Sequence, residues 1–257
     1  MARIACLVLS LLISSHAFAV RQTWLEPEFV KRAFLEVALK NEYSSGDKPL
    51  VKWHQPVKIW VEHRVGDIEL HEQLTNAHIE HLRQITSHPI ERVSKREQAN
   101  VIWIYTKESL WRQDIKREIG PHALKHIRGA ICKAGYRVSA QDSQIIKASV
   151  IIPVDQSRAH GKLLACVVEE ITQVLGLPND SELAYPSIFN DQTPDDLLSP
   201  LDVILLKLLY EPEMRSGMNK AQVTEQLDKL LVRYQQQGML AEAVSLARSA
   251  PLHQLLR

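Results

Sequence analysis

The stretch Glu169-Glu170-Ile171-Thr172-Gln173-Val174-Leu175-Gly176-Leu177-Pro178-Asn179 limits the folds open to this chain more than any other. Residues 169 and 173 are four apart and share one face of a helix. Gly176 lets the chain leave that helix with positive φ, so that a residue three further on can swing back toward the same face. The expectation is that Glu169, Gln173 and Asn179 converge on one point, with Glu170 beside them on the helix.

That spacing resembles the H-E-x-x-H-x-x-G-x-x-H pattern of the metzincin proteases. Glu169, Gln173 and Asn179 occupy its three ligand positions, while the general-base glutamate (Glu170) and the turn glycine (Gly176) are kept. Two carboxamides and one carboxylate offer hard oxygen atoms with one formal charge, a poor match for zinc. Ser187-Ile188-Phe189-Asn190 is similar to the metzincin methionine turn, with Phe189 where the methionine stands. Leu198-Ser199-Pro200-Leu201-Asp202, leading to Leu208-Leu209-Tyr210, is similar to the last helix of many metzincin catalytic domains. The wording G-L-P-N-D-S and S-I-F-N-D more closely resembles a bacterial secreted family known as domain of unknown function 2927, over Val51 to Met218.

The resemblance implies an α+β, metzincin-like fold: a twisted mixed sheet backed by helices, a central helix carrying a degenerate zinc motif, and a C-terminal helical hairpin. It also implies a secreted, non-catalytic module whose cleft takes a peptide or protein through Glu169, Gln173, Asn179, Asp180 and Phe189, with no metal and no cofactor. The alternative is a hydrolase using Glu170 as general base, either without zinc or with a hard cation held by Glu169, Gln173 and Asn179 and helped by Asp180 or Asp191. Glu169 and Glu170 project about 100° apart on a helix, so they do not by themselves form a glycosidase pair.

Hydrophobic periodicity supplies the elements around this motif. Helical spacing runs through Glu26 to Asn41, Leu70 to Ile85, Ser109 to Ile119, His160 to Leu175 and Pro200 to Tyr210. Val57 to Glu62, Asn100 to Tyr105 and Ile145 to Pro153 read as strands, the chain reaching the last of them from Cys132 through Gly135. Lys220 to Gln237 and Leu240 to Arg248 flank Gly238 as a hairpin, with Val223, Leu227, Leu230, Leu231 and Tyr234 on one stripe. The division is a signal peptide over 1–19, a main domain over 20–217 and a helical appendage over 218–257.

Arg3, the apolar run Ile4 to Ile13 and the small residues of Ala17-Phe18-Ala19 form an export signal, too short for a membrane span. Its removal leaves 30 basic residues, since Arg3 is lost from the 31 present, against 30 acidic ones. Lysines and arginines are scattered among acids, which gives no electrostatic case for nucleic acid or an anionic membrane. Cys132 and Cys166 then remain as an even pair in an oxidising compartment, which argues for a disulfide over two separate buried thiols. The pairs His78/His81 and His122/His126 have helical ligand spacing but no evident orienting carboxylates, so ordinary partly buried or surface histidines are expected.

Overall fold

The computed structural model describes residues 22–40, 46–194 and 196–256, and the expected export signal with its cleavage site lies outside them. Along the described residues the elements are α1 (Pro27–Leu39), β1 (Val57–His63), α2 (Ile68–Thr86), β2 (Ile90–Arg92), β3 (Val101–Thr106), α3 (Glu108–Glu118), β4 (Lys133–Val138) and β5 (Ile145–Pro153). They are followed by α4 (Val154–Ala159), α5 (Leu163–Gln173), α6 (Pro200–Tyr210), α7 (Lys220–Gln236), α8 (Met239–Arg248) and α9 (Pro251–Leu255). No helix among the described residues is long and apolar enough to cross a membrane.

The five strands form one mixed sheet in the order β2-β1-β3-β5-β4. β2, β1, β3 and β5 run parallel, and β4 closes one edge antiparallel to β5. Every residue of β3, Val-Ile-Trp-Ile-Tyr-Thr, is buried, as a central parallel strand covered on both faces requires. The main core joins the sheet to α2, α5 and α6, whereas Trp111 and Ile115 of α3 pack with Ile151 on the opposite face. Ion pairs extend the cover there: Arg64 holds Asp114 and Glu62, while Arg96 and Arg117 each reach Glu118 at 2.6 Å. Asp114 and Glu118 are buried, and such carboxylates are tolerated inside only when paired.

The sequence reading and the fold part in a few places. The central helix starts at Leu163 rather than His160, because Gly161 at φ +67° ends the short α4 and turns the chain. β2, β4 and α9 escaped the reading: β2 has three residues, β4 is half-exposed along most of its length without a clean alternation, and α9 has five residues. The C-terminal helices pack as a cover, α7 on α1, α8 on α6 and α9 on α2, and the expected stripe Val223, Leu227, Leu230, Leu231 and Tyr234 is buried. The helix pair α7 and α8 is therefore part of the core.

α2 buries histidines where an amphipathic helix would hold leucines. His78 Nε2 lies 3.1 Å from the Val168 carbonyl and 3.1 Å from Thr172 Oγ1, and His81 Nε2 lies 2.9 Å from the Leu246 carbonyl. Both rings are thus committed to the backbone of neighbouring helices. His71 is fully buried and stacks on Tyr105 at 4.4 Å and on His63 at 5.8 Å. Neither ring nitrogen of His71 has a hydrogen-bond partner among the described residues. His63 in turn contacts Glu72 at 2.8 Å, and Glu72 is gripped by Arg92 through both carboxylate oxygens.

Burial, reinforced by the neighbouring His63, pushes His71 down to about 4, and burial pushes His78 down to about 3. At pH 7 these rings are neutral folded or unfolded, so their contribution is fully present. As pH falls below the unfolded value of about 6.5, the unfolded chain takes up protons that the folded chain refuses, and stability is lost down to the folded values. Glu72, held down to about 2 by Arg92, acts in the same direction at lower pH. Asp202, pushed up to about 6 by burial, opposes them over its own interval. Urea unfolding at pH 7 and pH 5 should therefore show a net loss on acidification, of which roughly 1.5–2 kcal/mol belongs to His71. The stacking-compatible change His71→Phe should flatten that loss; a wild type equally stable at both pH values would contradict the account.

Candidate functional site

Helix α5 owes its position to constraints at both ends. Near its start Cys166 is joined to Cys132, the residue before β4, with the sulfurs 2.03 Å apart. At its far end the exposed carbonyls that a helix terminus leaves behind are taken by side chains from elsewhere. Trp53 Nε1 donates to the Val174 carbonyl at 2.8 Å, and the Tyr210 hydroxyl donates to the Leu175 carbonyl at 3.0 Å. Gly176 follows at φ +122°, and a Cβ there would come within 2.3 Å of the Val51 carbonyl oxygen. Only glycine meets both demands, the backbone angle and the close approach.

A cleft of about 610 Å³ opens beside this helix. α5 contributes Glu169, Glu170 and Gln173, and the returning loop contributes Asp180. The facing wall is the segment before and into β4, with Lys125, Arg128 and Lys133. A third side comes from the turn of Ser187, Ile188 and Asn190 with Asp191 beyond it. Glu170 is 6% exposed and Glu169 is half-buried, yet both reach the cleft despite their different directions on the helix.

Of the three converging residues expected from the spacing, two meet and the third does not. Gln173 Nε2 donates to Glu169 Oε1 at 3.3 Å and to Asp180 Oδ1 at 2.9 Å. Asn179 is buried with its amide turned away: Nδ2 donates to the Glu36 carbonyl at 3.1 Å and to the Asp180 carbonyl at 2.9 Å, while its own N–H reaches the Val37 carbonyl at 3.1 Å. Asn179 therefore fastens the returning loop to the last turn of α1, and Asp180 supplies the side chain that faces Gln173. The chain does swing back after Gly176, one residue later than the spacing suggests. His126 borders the cleft, but it sits with His122 on a 3-10 turn, Pro121–His126, where a spacing of four does not define a common face. Among the described residues no group of three or more His, Cys, Asp or Glu side chains is arranged to hold a metal ion.

Phe189 is fully buried in the main core, while its neighbours Ser187 and Ile188 reach the cleft. Asp202 fixes that turn. Its carboxylate accepts from the Ser187 hydroxyl, from the Ile188 N–H at 3.0 Å and from the Ser199 N–H at 2.7 Å, and the Ser199 hydroxyl accepts from the Asp202 N–H in a reciprocal cap of α6. One buried side chain thus links the cleft's third side to the start of α6. Burial pushes the Asp202 carboxyl up, and these donors pull it back down. The turn carbonyl of Pro186 is taken by Ser199 Oγ at 2.8 Å. Sequence reasoning identified the segment of Asp202 but had no signal for two of its donors, Ser187 and Ile188, which lie 15 and 14 residues back along the chain.

The family described as "Protein of unknown function (DUF2927)" has a model that matches residues 27–229. The match starts with α1 and ends inside α7, longer at both ends than the resemblance noted above. No curated protein matches the chain.

Two outcomes follow from this geometry. Asp202→Ala leaves the Ile188 and Ser199 amides buried without their acceptor and should cost roughly 3–5 kcal/mol. Asp202→Asn keeps an oxygen for both amides and should cost less than about 1.5 kcal/mol; equal losses in urea unfolding would show that the carboxylate is not what holds the turn. The second concerns Glu169, Gln173 and Asp180. Donor atoms around tetrahedral zinc with bonds of about 2.1 Å stand roughly 3.4 Å apart, close to the spacing of Gln173 from Glu169 and Asp180. The double change Glu169→His and Gln173→His should create zinc affinity with Asp180 as third ligand, read by titration against a chelator. Adding Asn179→His should give little further gain, and a much tighter triple variant would show that residue 179 can leave α1.

Proposed function

We propose, for a chain that belongs to the DUF2927 family, that it is an exported, metzincin-like module which has exchanged zinc chemistry for the capture of an extended peptide segment. The observation that carries this reading is the position of the cleft, between α5 and the start of an edge strand. β4 pairs only with β5, and among the described residues Ala134 to Val138 have no backbone hydrogen bond outside that ladder. An edge of this kind can take one more strand, whose backbone supplies affinity while its side chains enter adjoining pockets. Glu169, Gln173 and Asp180 suit that use: the Gln173 amide already occupies both carboxylates, so the group presents polar oxygens to a ligand in place of an open metal position.

The metzincin likeness draws support from the mixed sheet backed by helices, from α5 with its Gly176 exit, and from the turn at Ser187 held to α6 by Asp202. Selection of peptides from a random display library on the purified protein tests the function. Selected peptides should bind with dissociation constants on the order of 1–100 μM, slow hydrogen exchange at the β4 amides and remain intact. Binding that leaves β4 exchange unchanged would remove the edge-strand reading. Cleavage that disappears in Glu170→Gln would replace capture by hydrolysis.

A further inference from the structure

The chain's near-balance of charge conceals one exception. Between Glu118 and Asp142 there is no acidic residue, while Lys125, Arg128, Lys133 and Arg137 all fall in that run. The fold lays this run along the rim of the cleft and then along β4, with Lys125, Arg128 and Arg137 exposed. No ion pair engages these three among the described residues. Arg137 stands directly opposite Lys147 of β5 in the ladder. Like charges in that relation destabilise a sheet, so folding alone gives no reason for the pair.

The stripe has a defined side. Lys133, Gly135 and Arg137 alternate onto one face of β4. That face is the α3 side, since a Cβ on Gly135 would meet Ile119 Cγ2 at 2.6 Å. Ala134 and Tyr136 point the other way, into the main core. A strand added to β4 would therefore place every second side chain beside cations and the intervening ones toward the α5 side. Across the cleft stand Glu169, Glu170, Asp180 and Asp191. That acidic wall repels a continuous polyanion such as nucleic acid, whereas a peptide can present its charges on one face only.

Resting on the peptide-capture reading above, we infer that the ligand is an extended acidic peptide, with carboxylate side chains at alternate positions, which adds to β4 and meets Arg137 and Lys147. The same cations would also blunt self-association of a bare edge, and the test separates the two uses. Fluorescence anisotropy is measured for an alternating Glu–Thr peptide, an alternating Lys–Thr peptide and a single-stranded oligonucleotide, at low and high salt.

The Glu–Thr peptide should bind about tenfold tighter than the Lys–Thr peptide, from a few exposed ion pairs, with the gap narrowing in salt. Lys147→Glu gives Arg137 an opposite charge across the ladder, so it should raise the melting temperature while weakening Glu–Thr binding. Equal affinity for the two peptides, or Glu–Thr binding unaltered by Lys147→Glu, overturns the charge assignment. Failure of both designed peptides while library-selected ones bind also overturns it and leaves the capture reading standing. Failure of every peptide removes both and leaves an edge guard. Preference for the oligonucleotide assigns the stripe to a polyanion instead.

Discussion

Almost everything in this molecule is arranged around the immobilisation of α5. The disulfide ties its first turn to the start of β4, and Trp53 and Tyr210 take the carbonyls at its end. Gly176 then permits a departure so close to Val51 that no side chain would fit. Because Tyr210 belongs to α6 and Trp53 precedes β1, these contacts also fix the distance between the last core helix and the sheet. The cleft is the space left over between a helix that cannot shift and an edge strand bonded to it.

The polar interior is less uniform than the apolar one, and its members differ in what they contribute. Asp202 is buried with each carboxylate oxygen accepting a bond, so its desolvation is repaid in position: the turn of Ser187 and Ile188 cannot move without α6. Asp114 and Glu118, both on α3, are held by three arginines, which add paired charges to the cover of the sheet's second face. His71 has no such compensation among the described residues and is retained inside a stack of parallel rings. A neutral ring tolerates that environment and a charged one does not, which makes α2 the acid-sensitive element of the fold.

Gln173 and Asn179 are not passive at the end of α5 and in the loop beyond it. Gln173 bridges two carboxylates, and Asn179 joins the loop to α1. An amide can serve both needs because it donates through two hydrogens, whereas a neutral imidazole donates through one.

Local chemistry made much of this legible in the sequence. Helical and strand spacing located α1, α2, β1, β3, β5, α6, α7 and α8, because each buries a continuous stripe whose period the residues record. The even cysteine pair, the Gly176 exit and the involvement of Glu169 and Gln173 in one cluster were likewise readable from residue type and spacing. β2 and β4 were not, since three residues carry no period and a half-exposed edge strand needs no alternation. Nor could spacing decide between Asn179 and Asp180: both lie within reach of the helix face, and only the packing of α1 against the loop offered Asn179 the carbonyls of Glu36 and Val37. The Ser187 and Ile188 donors of Asp202 and the cationic stripe across β4 and β5 belong to the same class. They join residues distant along the chain, and the energy of such contacts exists only once the tertiary fold has brought them together.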